Sequence, residues 1–287
     1  MKYRLLALDL DGTLLGPDGR VSPANAAAVR RAQEAGVRVV PCTGRAWHES
    51  RAPLAALEGL DLGVFVSGAS INHVPTGELH GDAPLPRDMA LDLVRLLEDS
   101  PDAVLVFHEV QKAGHHYLVT GRGRLRENTR WWFELTRAIV RHEAEVHEGL
   151  MEHALRVGVA GGPGYLREAG ERVAKRFGPG VAVHAFEAIQ KPDPQESVHI
   201  LEVFAPGVDK WSGLMRIAQR HGIEAGEVAA IGDEVNDLPM LRSAGCAVAM
   251  ANAIPAALEQ ADHVTRANHE DGVAHAIDRL LAGEWGH

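Results

Sequence analysis

One stretch near the start of the chain constrains the fold more than any other, because an apolar run leads directly into two acids. Residues 5–8 are all apolar, and Asp9, Asp11 and a Gly-Thr pair follow at once. A short continuous apolar run is typical of a strand that is buried on both faces of a parallel sheet. Ligands of open parallel sheets bind beyond the carboxyl ends of the strands. The stretch therefore predicts an acidic site at the edge of an α/β sheet.

Asp9 and Asp11 are separated by one residue, so in an extended chain both carboxylates would project in the same direction. Two carboxylates that lie close together repel each other, and each shifts the pKa of the other unless a cation or a shared proton intervenes. We expect the rest of the chain to provide a site for that cation, groups that hold a phosphate, and a lid.

The composition limits where the protein works and what it binds. The chain has 287 residues and a net charge of -10, which argues against broad affinity for nucleic acid or an anionic membrane. No apolar run is long enough to span a bilayer, and no signal peptide is expected. The two cysteines, Cys42 and Cys246, argue against a disulfide framework and fit a reducing compartment. We predict a cytoplasmic monomer or small homo-oligomer with a small-molecule partner, and neither nucleic acid nor membrane as a partner.

Strand and helix signals alternate in the first and last parts of the chain. Ser22-Pro23 predicts the start of a helix, and Gly36 predicts its end. Strands are predicted at 37–41, 62–66, 228–231 and 247–250. Short links between alternating strands and helices are typical of a parallel α/β sheet.

The pattern changes between residues 84 and 204. A helix is predicted at 88–99, and two alternating segments around Ala113-Gly114 predict a hairpin. Paired strands with interspersed helices continue to residue 204. They favour a separate α+β domain that is inserted rather than appended. The predicted fold is an α/β, Rossmann-like parallel sheet core (1–83 and 205–287) with an inserted α+β cap domain (84–204).

Polar side chains follow the predicted strands of the core where those strands end. Thr43 and Arg45 follow the second strand, an acidic segment at 232–237 follows the strand at 228–231, and Lys210 starts a predicted helix. The acids suit a hard cation, whereas the hydroxyl, the ammonium and the helix N-termini suit a phosphate. Mg²⁺ prefers carboxylates together with substrate phosphate oxygens, and no Cys/His cluster in the sequence offers a competing zinc site.

The order and the local sequences of these segments resemble those of the haloacid dehalogenase-like hydrolases, in particular the Cof-type phosphatases. The resemblance runs through the whole core and rests on four motifs: Asp9-Leu10-Asp11-Gly12-Thr13, Thr43-Gly44-Arg45, Lys210, and Gly232-Asp233 through Asn236-Asp237. Segments 244–253 and 270–274 also look like that subgroup. The insertion between the second and third motifs matches the type of cap that the subgroup carries.

The resemblance implies a two-step phosphoryl transfer on the first two acids. Asp9 would be the nucleophile, which attacks phosphorus and forms an aspartyl-phosphate. Asp11 would be the general acid/base, which protonates the leaving oxygen and then takes a proton from the hydrolytic water. Family members that cleave carbon–halogen bonds lack an acid at that position, because a halide needs no proton. Asp11 therefore favours phosphate esters.

The resemblance also implies which residues hold the phosphoryl group and the metal. The phosphoryl oxygens would be held by Thr43, Gly44, Lys210 and Asn236. Mg²⁺ would be bound by the carboxylates of Asp9 and Asp233 and by the backbone carbonyl at Asp11. Asp237 would support Lys210 or a metal-bound water, and Arg45 would contact the substrate.

We therefore predict a Mg²⁺-dependent phosphatase that acts on a small phosphorylated metabolite, with sugar phosphates as the default class. A phosphomutase of the phosphomannomutase type is the alternative, since such enzymes have a similar core and cap and bind a bisphosphate with cap arginines. The arginines that keep this alternative open are Arg122, Arg124, Arg126, Arg130 and Arg137. An alternative from another class is a catalytically silent metabolite-binding protein on the same fold, against which the intact acids and Lys210 argue.

Three further features call for an interpretation of their own. Ser67 stands where the Cof pattern usually has Asn, which puts a side-chain role at that loop in doubt. The histidines of the insert lack the spacing of the helical zinc-protease motif. Surface or substrate-facing positions are therefore predicted for His108, His115, His116, His142, His147 and His153. The Trp131-Trp132-Phe133 run is predicted to lie in the core of the cap rather than to form a stacking platform.

Overall fold

The structure is a computed structural model that describes residues 2–189 and 198–285, in which strands and helices alternate. Its strands are β1 (Leu5–Leu8), β2 (Arg38–Pro41), β3 (Leu62–Phe65), β4 (Ser70–His73), β5 (Leu79–Asp82), β6 (Val104–His108), β7 (Tyr117–Thr120), β8 (Val140–His142), β9 (Ala154–Gly161), β10 (Ala182–Ile189), β11 (Val198–Phe204), β12 (Val228–Gly232), β13 (Cys246–Ala249) and β14 (His263–Val264). Its α-helices are α1 (Pro23–Glu34), α2 (Trp47–Leu54), α3 (Arg87–Leu97), α4 (Val110–Ala113), α5 (Glu127–Thr136), α6 (Pro163–Phe177), α7 (Lys210–Arg220), α8 (Leu238–Ser243), α9 (Pro255–Gln260) and α10 (Gly272–Leu281).

The chain divides into two compact units. Residues 1–81 and 209–287 form the first unit, and residues 82–208 form the second unit. The first unit is therefore discontinuous in sequence. The roles assigned to the two parts of the sequence, a core and a cap, stay predictions.

A parallel sheet forms the centre of the first unit. Its strand order is β14-β13-β12-β1-β2, and each neighbouring pair is parallel. The strand β1 lies between β12 and β2 because all four of its residues are apolar and are buried on both faces. The predicted α/β class with a parallel sheet is confirmed, and β1 places the residue that follows it at the carboxyl edge, between the ends of β12 and β2.

The strand β3 departs from the predicted parallel arrangement. It touches the central sheet through a single parallel bridge between Cys42 and Val64, and its main partner is the antiparallel strand β4 in the sheet β3-β4-β5. The chain can return on itself directly because residues 66–68 have positive φ angles and form a tight turn. The strands β4 and β5 were not foreseen from the sequence.

Two helix starts in the first unit follow capping chemistry. The Ser22 side chain accepts a hydrogen bond from the Asn25 backbone N–H at 3.0 Å, as an N-cap should, and α1 ends before Gly36, which has a φ of 83°. The Asp209 side chain accepts from the Ser212 N–H at 2.7 Å, so α7 begins at Lys210. This cap places Lys210 in the first turn of α7.

The second unit is a six-stranded sheet in the described residues, with the order β10-β11-β9-β6-β7-β8. All its neighbouring pairs are antiparallel except β7 and β8. The helices α3 and α6 pack against the sheet over the buried side chains of Val106, Val157 and Leu201. The predicted α+β character of the insert is confirmed.

The aromatic run on α5 is divided between the interior and the surface. Phe133 is buried, and its ring centroid lies 4.6 Å from that of Tyr117. Trp131 is 52% exposed, so the prediction that the whole run lies in the core is wrong for this residue. The physical reason is that successive residues of a helix point about 100° apart, and one face cannot bury three of them.

The histidines of the second unit also divide into two groups. His142 and His147 are exposed, in agreement with the predicted surface position, whereas His108, His115 and His116 are buried, so a surface position is wrong for these three and the substrate-facing alternative stays a prediction. These three lie beside the hairpin of β6 and β7, where backbone groups can satisfy an imidazole. Nε2 of His108, for example, lies 2.9 Å from the Leu150 carbonyl oxygen.

Among the helices in the part of the chain that the structure describes, none combines the length and the hydropathy that crossing a membrane requires.

Candidate active site

Asp9 follows β1 directly and lies at the carboxyl end of an interior strand of the sheet. It is 3% exposed, and its backbone N–H donates to the Ile231 carbonyl at 3.1 Å, which continues the pairing with β12. The chain then forms a single helical turn at Leu10–Leu14, in which Gly12 has a φ of 75°. A Cβ atom at Gly12 would lie 2.1 Å from Oδ2 of Asp233, so only glycine allows this close approach.

Three carboxylates meet around one buried lysine. Asp9, Asp233 and Asp237 each offer an oxygen atom, and these atoms lie within 4.8 Å of one another. Nζ of Lys210 donates to Oδ1 of Asp9 and to Oδ1 of Asp237, both at 2.6 Å, and the lysine is 1% exposed. The ends of β1 and β12 and the start of α7 therefore bring four of the predicted site residues together.

The electrostatics of this cluster follow from burial and from mutual charge. Burial raises the pKa of Asp9, the charge of Asp237 raises it further, and Lys210 opposes both effects. Burial alone would lower the pKa of Lys210, but the charges of Asp237 and Asp9 raise it above its ordinary value. Burial and the Asp237 charge raise the pKa of Asp233 to about 7. The cluster gathers more acid than one ammonium can balance, and such a surplus favours a bound cation or protonation.

Asp237 is held by protein donors on both of its oxygens. Oδ1 accepts from Lys210, and Oδ2 accepts from the backbone N–H groups of Asp233 and Glu234 at 2.9 and 3.0 Å. Oδ1 of Asp233 accepts from the Thr13 hydroxyl at 2.7 Å. Asp237 is thus placed to fix Lys210 and the Asp233 backbone, which is consistent with the supporting role predicted for it.

The donor set fits Mg²⁺. Hard carboxylate oxygens from two strand ends, a surplus of negative charge and the proximity of Asp9 to Asp233 are what a small divalent cation needs. Their assignment as metal ligands, with the Asp11 carbonyl, stays a prediction.

The side chain of Asp11 has a partner of its own. Arg45 donates from Nε to Oδ2 of Asp11 at 2.7 Å and from a terminal nitrogen to Oδ1 at 2.5 Å, and the Asp11 side chain is 56% exposed. Asp9 and Asp11 both have extended backbone angles, and their carboxylates have separate partners, Lys210 for Asp9 and Arg45 for Asp11. The substrate contact predicted for Arg45 stays a prediction, and Asp11 is its partner in this structure.

The loop after β2 lies beside the acidic segment. Thr43 is buried, and its hydroxyl accepts from the Arg45 N–H at 3.1 Å. A Cβ atom at Gly44 would lie 3.4 Å from both Nδ2 of Asn236 and Oγ of Ser67. The predicted phosphate-binding residues Thr43, Gly44 and Asn236 are therefore neighbours in space.

Ser67 lies in a strained turn that the sequence did not reveal. Val66, Ser67 and Gly68 have consecutive φ angles of 51°, 53° and 102°, of which the first is rare for a β-branched residue. Oγ of Ser67 and Oδ1 of Asn236 are buried without a hydrogen-bond partner among the described residues. Strain and unsatisfied polar atoms of this kind concentrate at functional sites. No local sequence signal predicts this turn. The hydrogen bond from Thr13 to Asp233 could have been foreseen, because the two residues belong to the first and fourth motifs.

Comparison with known proteins identifies the family. Residues 6–277 match the family model described as haloacid dehalogenase-like hydrolase. This chain belongs to the haloacid dehalogenase-like hydrolases. The predicted family and Cof-type subgroup are confirmed, and the chain is an enzyme of the hydrolase class.

Relatives match this hydrolase over nearly its whole length. The 5-amino-6-(5-phospho-D-ribitylamino)uracil phosphatase YitU of Bacillus subtilis is 30% identical, over 98% of each chain. Phosphatase YwpJ of the same organism is 30% identical, over 97% of this chain and 100% of its own. The solved structure of a haloacid dehalogenase-like hydrolase from B. subtilis has a TM-score of 0.77 at 26% identity, over 97% of this chain and 100% of that one.

Proposed function

We propose that this protein is a Mg²⁺-dependent phosphatase that hydrolyses a small phosphate monoester through an aspartyl-phosphate on Asp9. One observation carries the proposal: a buried Asp9, at the end of β1, is hydrogen-bonded to Lys210 and lies beside two further carboxylates. The relatives named as phosphatases support the reaction class.

The chain's own residues divide the first step between them. Lys210 holds Oδ1 of Asp9 and so orients the carboxylate for attack on phosphorus. The bond from Asp9 to phosphorus forms as the ester P–O bond breaks, and Asp11 gives its proton to the leaving oxygen. Arg45 must release the Asp11 carboxyl for that transfer, since it engages both oxygens in the resting enzyme.

The second step returns the enzyme to its starting state. Asp11 takes a proton from water, the oxygen of that water attacks phosphorus, and inorganic phosphate leaves as the Asp9 carboxylate is restored. Thr43, Gly44, Lys210 and Asn236 would hold the phosphoryl oxygens during both steps. Mg²⁺, held by Asp9, Asp233 and the Asp11 carbonyl, would neutralise negative charge at the site.

We propose a sugar phosphate or a related phosphate monoester as the substrate. One of the relatives is named for a phosphorylated ribityl compound, so phosphorylated polyols belong beside sugar phosphates in this class.

The cellular setting is proposed from the cysteines. Cys42 and Cys246 are both buried free thiols, which suits a reducing compartment. The cytoplasm is therefore the proposed location, and a monomer or small homo-oligomer with a small phosphorylated partner is the proposed state.

The deciding experiment is a panel of phosphate monoesters assayed for phosphate release with Mg²⁺. We expect turnover on part of the panel, and we expect Asp9→Asn to lose nearly all of it while its circular dichroism spectrum is unchanged. The isosteric amide keeps the shape but is not a nucleophile. Retained phosphatase activity in this variant would refute the mechanism.

The same panel separates the alternatives. A phosphomutase would convert a sugar 1-phosphate to an isomer without free phosphate, and a silent binding protein would turn over nothing. Two arginines that kept the mutase open already pair within the second unit: Arg126 with Asp102 and Arg122 with Asp99. That pairing favours the phosphatase.

A further inference from the structure

Two asparagines far along the chain hold the turn that follows Asp9. Nδ2 of Asn252 donates to the Gly12 carbonyl, and Nδ2 of Asn268 donates to the Leu15 carbonyl, both at 2.8 Å. The backbone N–H of Asn268 donates to Oδ1 of Asn252, also at 2.8 Å. These two linked residues hold the middle of the turn, at Gly12, and its end, at Leu15.

The loop that carries Asn252 also contacts the second acidic segment. The Ile254 N–H donates to the Asp233 carbonyl at 2.9 Å, and the Met250 N–H donates to the Gly232 carbonyl at 3.1 Å. The loop at 250–254 therefore binds Gly12 through a side chain and Asp233 through its backbone. It joins two parts of the site that lie more than 200 residues apart in sequence.

The position of Gly12 needs an external constraint. Gly12 lies in the left-handed region, and a glycine has the widest choice of backbone angles. Its backbone approaches Asp233 so closely that no Cβ would fit. The peptide that carries the Asp11 carbonyl is joined directly to Gly12, so a rotation at Gly12 would move that carbonyl relative to the Asp233 carboxylate.

We propose that Asn252 is a positioning residue for the cation site, which it serves by holding the Gly12 carbonyl at a fixed distance from Asp233. The proposal rests on the proposed function for the presence of a cation between these two segments. Asn252 touches neither the cation nor the substrate in this role. Residues that orient metal ligands change metal affinity by about 10- to 100-fold when they are replaced.

The test is Mg²⁺ binding to the resting enzyme, measured by calorimetry without substrate. We expect Asn252→Ala to weaken Mg²⁺ binding and raise its Kd by about tenfold, at the lower end of the range for such residues. A competing Mn²⁺ titration, followed by the electron paramagnetic resonance of the free ion, should give the same ratio. The side chain is exposed, so its loss should leave the fold intact.

A second variant separates positioning from charge. Asn252→Asp keeps the shape and the acceptor for Asn268, but it places an oxygen against the Gly12 carbonyl and adds a negative charge. Charge alone would tighten Mg²⁺ binding, whereas the loss of positioning weakens it. We expect weaker binding.

The matched control is Ser22→Ala, which breaks a hydrogen bond of 2.5 Å from Ser22 to Asp271 between the same two stretches of chain, away from Gly12. It should lower Tm without Mg²⁺ and leave the Mg²⁺ Kd unchanged.

An unchanged Kd in Asn252→Ala, or a lower Kd in Asn252→Asp, would overturn the proposal. The phosphatase panel tests the proposed function independently: turnover with an unchanged Kd defeats this inference alone, and Mg²⁺ binding without turnover defeats the proposed function alone.

Discussion

Both units of the chain bury titratable side chains, but the first gathers three carboxylates around one ammonium, whereas the second pairs its buried acids Asp102 and Glu202 each with an arginine and keeps the buried His108 neutral. In the first unit, Lys210 lies 2.6 Å from Asp9 and from Asp237. In the second, the His108 ring bonds to a backbone carbonyl and lies 4.6 Å from the His115 ring. Burial favours the neutral form of any group, so it raises the pKa of Asp233 to about 7 and lowers that of His108 to about 4.

The difference shows how a buried polar cluster that binds a ligand or reacts can be distinguished from one that only supports the fold. For His108 and His115 neutral partners suffice: a ring nitrogen of each lies within hydrogen-bond distance of a backbone carbonyl, that of Leu150 and that of Ala113. The acids of the first unit exceed their counter-charge, and proteins keep such an arrangement where it binds or reacts with something. The three predictions below, in decreasing size of effect, test this contrast.

Removal of the central ammonium should have the largest effect on stability. Lys210→Met leaves Asp9 and Asp237 buried without their counter-charge, which should lower the free energy of unfolding by about 3–5 kcal/mol. Urea denaturation measures the loss, and saturating Mg²⁺ should restore part of it because the cation replaces the missing charge.

The control for that experiment is the exposed pair of Arg31 and Asp278. Asp278→Ala should cost less than about 1 kcal/mol, since solvent screens the pair. Equal losses in the two variants would show that charge pairing does not hold the acidic cluster.

Mg²⁺ should stabilise the first unit selectively. At one hundred times its Kd, a ligand that binds only the folded state contributes about 2.7 kcal/mol. Hydrogen exchange should therefore slow at the amides of β1 and β12 and stay unchanged at those of β6 and β9. Asp233→Asn should abolish the protection, and equal protection of β6 and β9 would contradict a cation site confined to the first unit.

Acid should weaken the second unit through His108. Its pKa is lowered in the folded state, so below its ordinary value of 6.5 the unfolded chain takes up a proton that the folded chain takes up only near pH 4. Stability falls as pH drops through this window, by about 2 kcal/mol at pH 5 relative to pH 7.5.

The variant His108→Gln isolates this contribution, because its amide can still donate to the Leu150 carbonyl. Thermal unfolding at the two pH values should show a smaller acid loss in the variant than in the wild type. The same loss in both proteins would assign the acid sensitivity to other groups.

The sequence located the parts of the site that depend on strand ends and motif order. Asp9 and Asp233 were predicted to lie together because the carboxyl ends of parallel strands meet at one edge, and Lys210 was added through the order of the motifs. The pairing of Asp11 with Arg45 and the strained turn at Ser67 could not be foreseen. Such contacts depend on how loops from distant parts of the chain meet, and local periodicity carries no information about that.

Burial in the second unit was the least predictable part of the fold. Trp131 was expected inside and His115 outside, and each has the opposite position. Residue type alone decides little for amphipathic side chains, because a histidine is satisfied by backbone carbonyls and a helix has room for only one buried face.

Because the second unit separates the two segments of the first unit, the acids and the lysine of the cluster are synthesised at different times. The strand β1, which precedes Asp9, lies between β2, which is made early, and β12, which begins at Val228. At about 5–20 residues per second, Asp233 leaves the ribosome roughly 10–45 s after Asp9. Lys210 also comes after the whole of the second unit. Throughout that time the apolar β1 lacks one of its two neighbours, which makes this interval the one in which a nascent chain has most need of a chaperone.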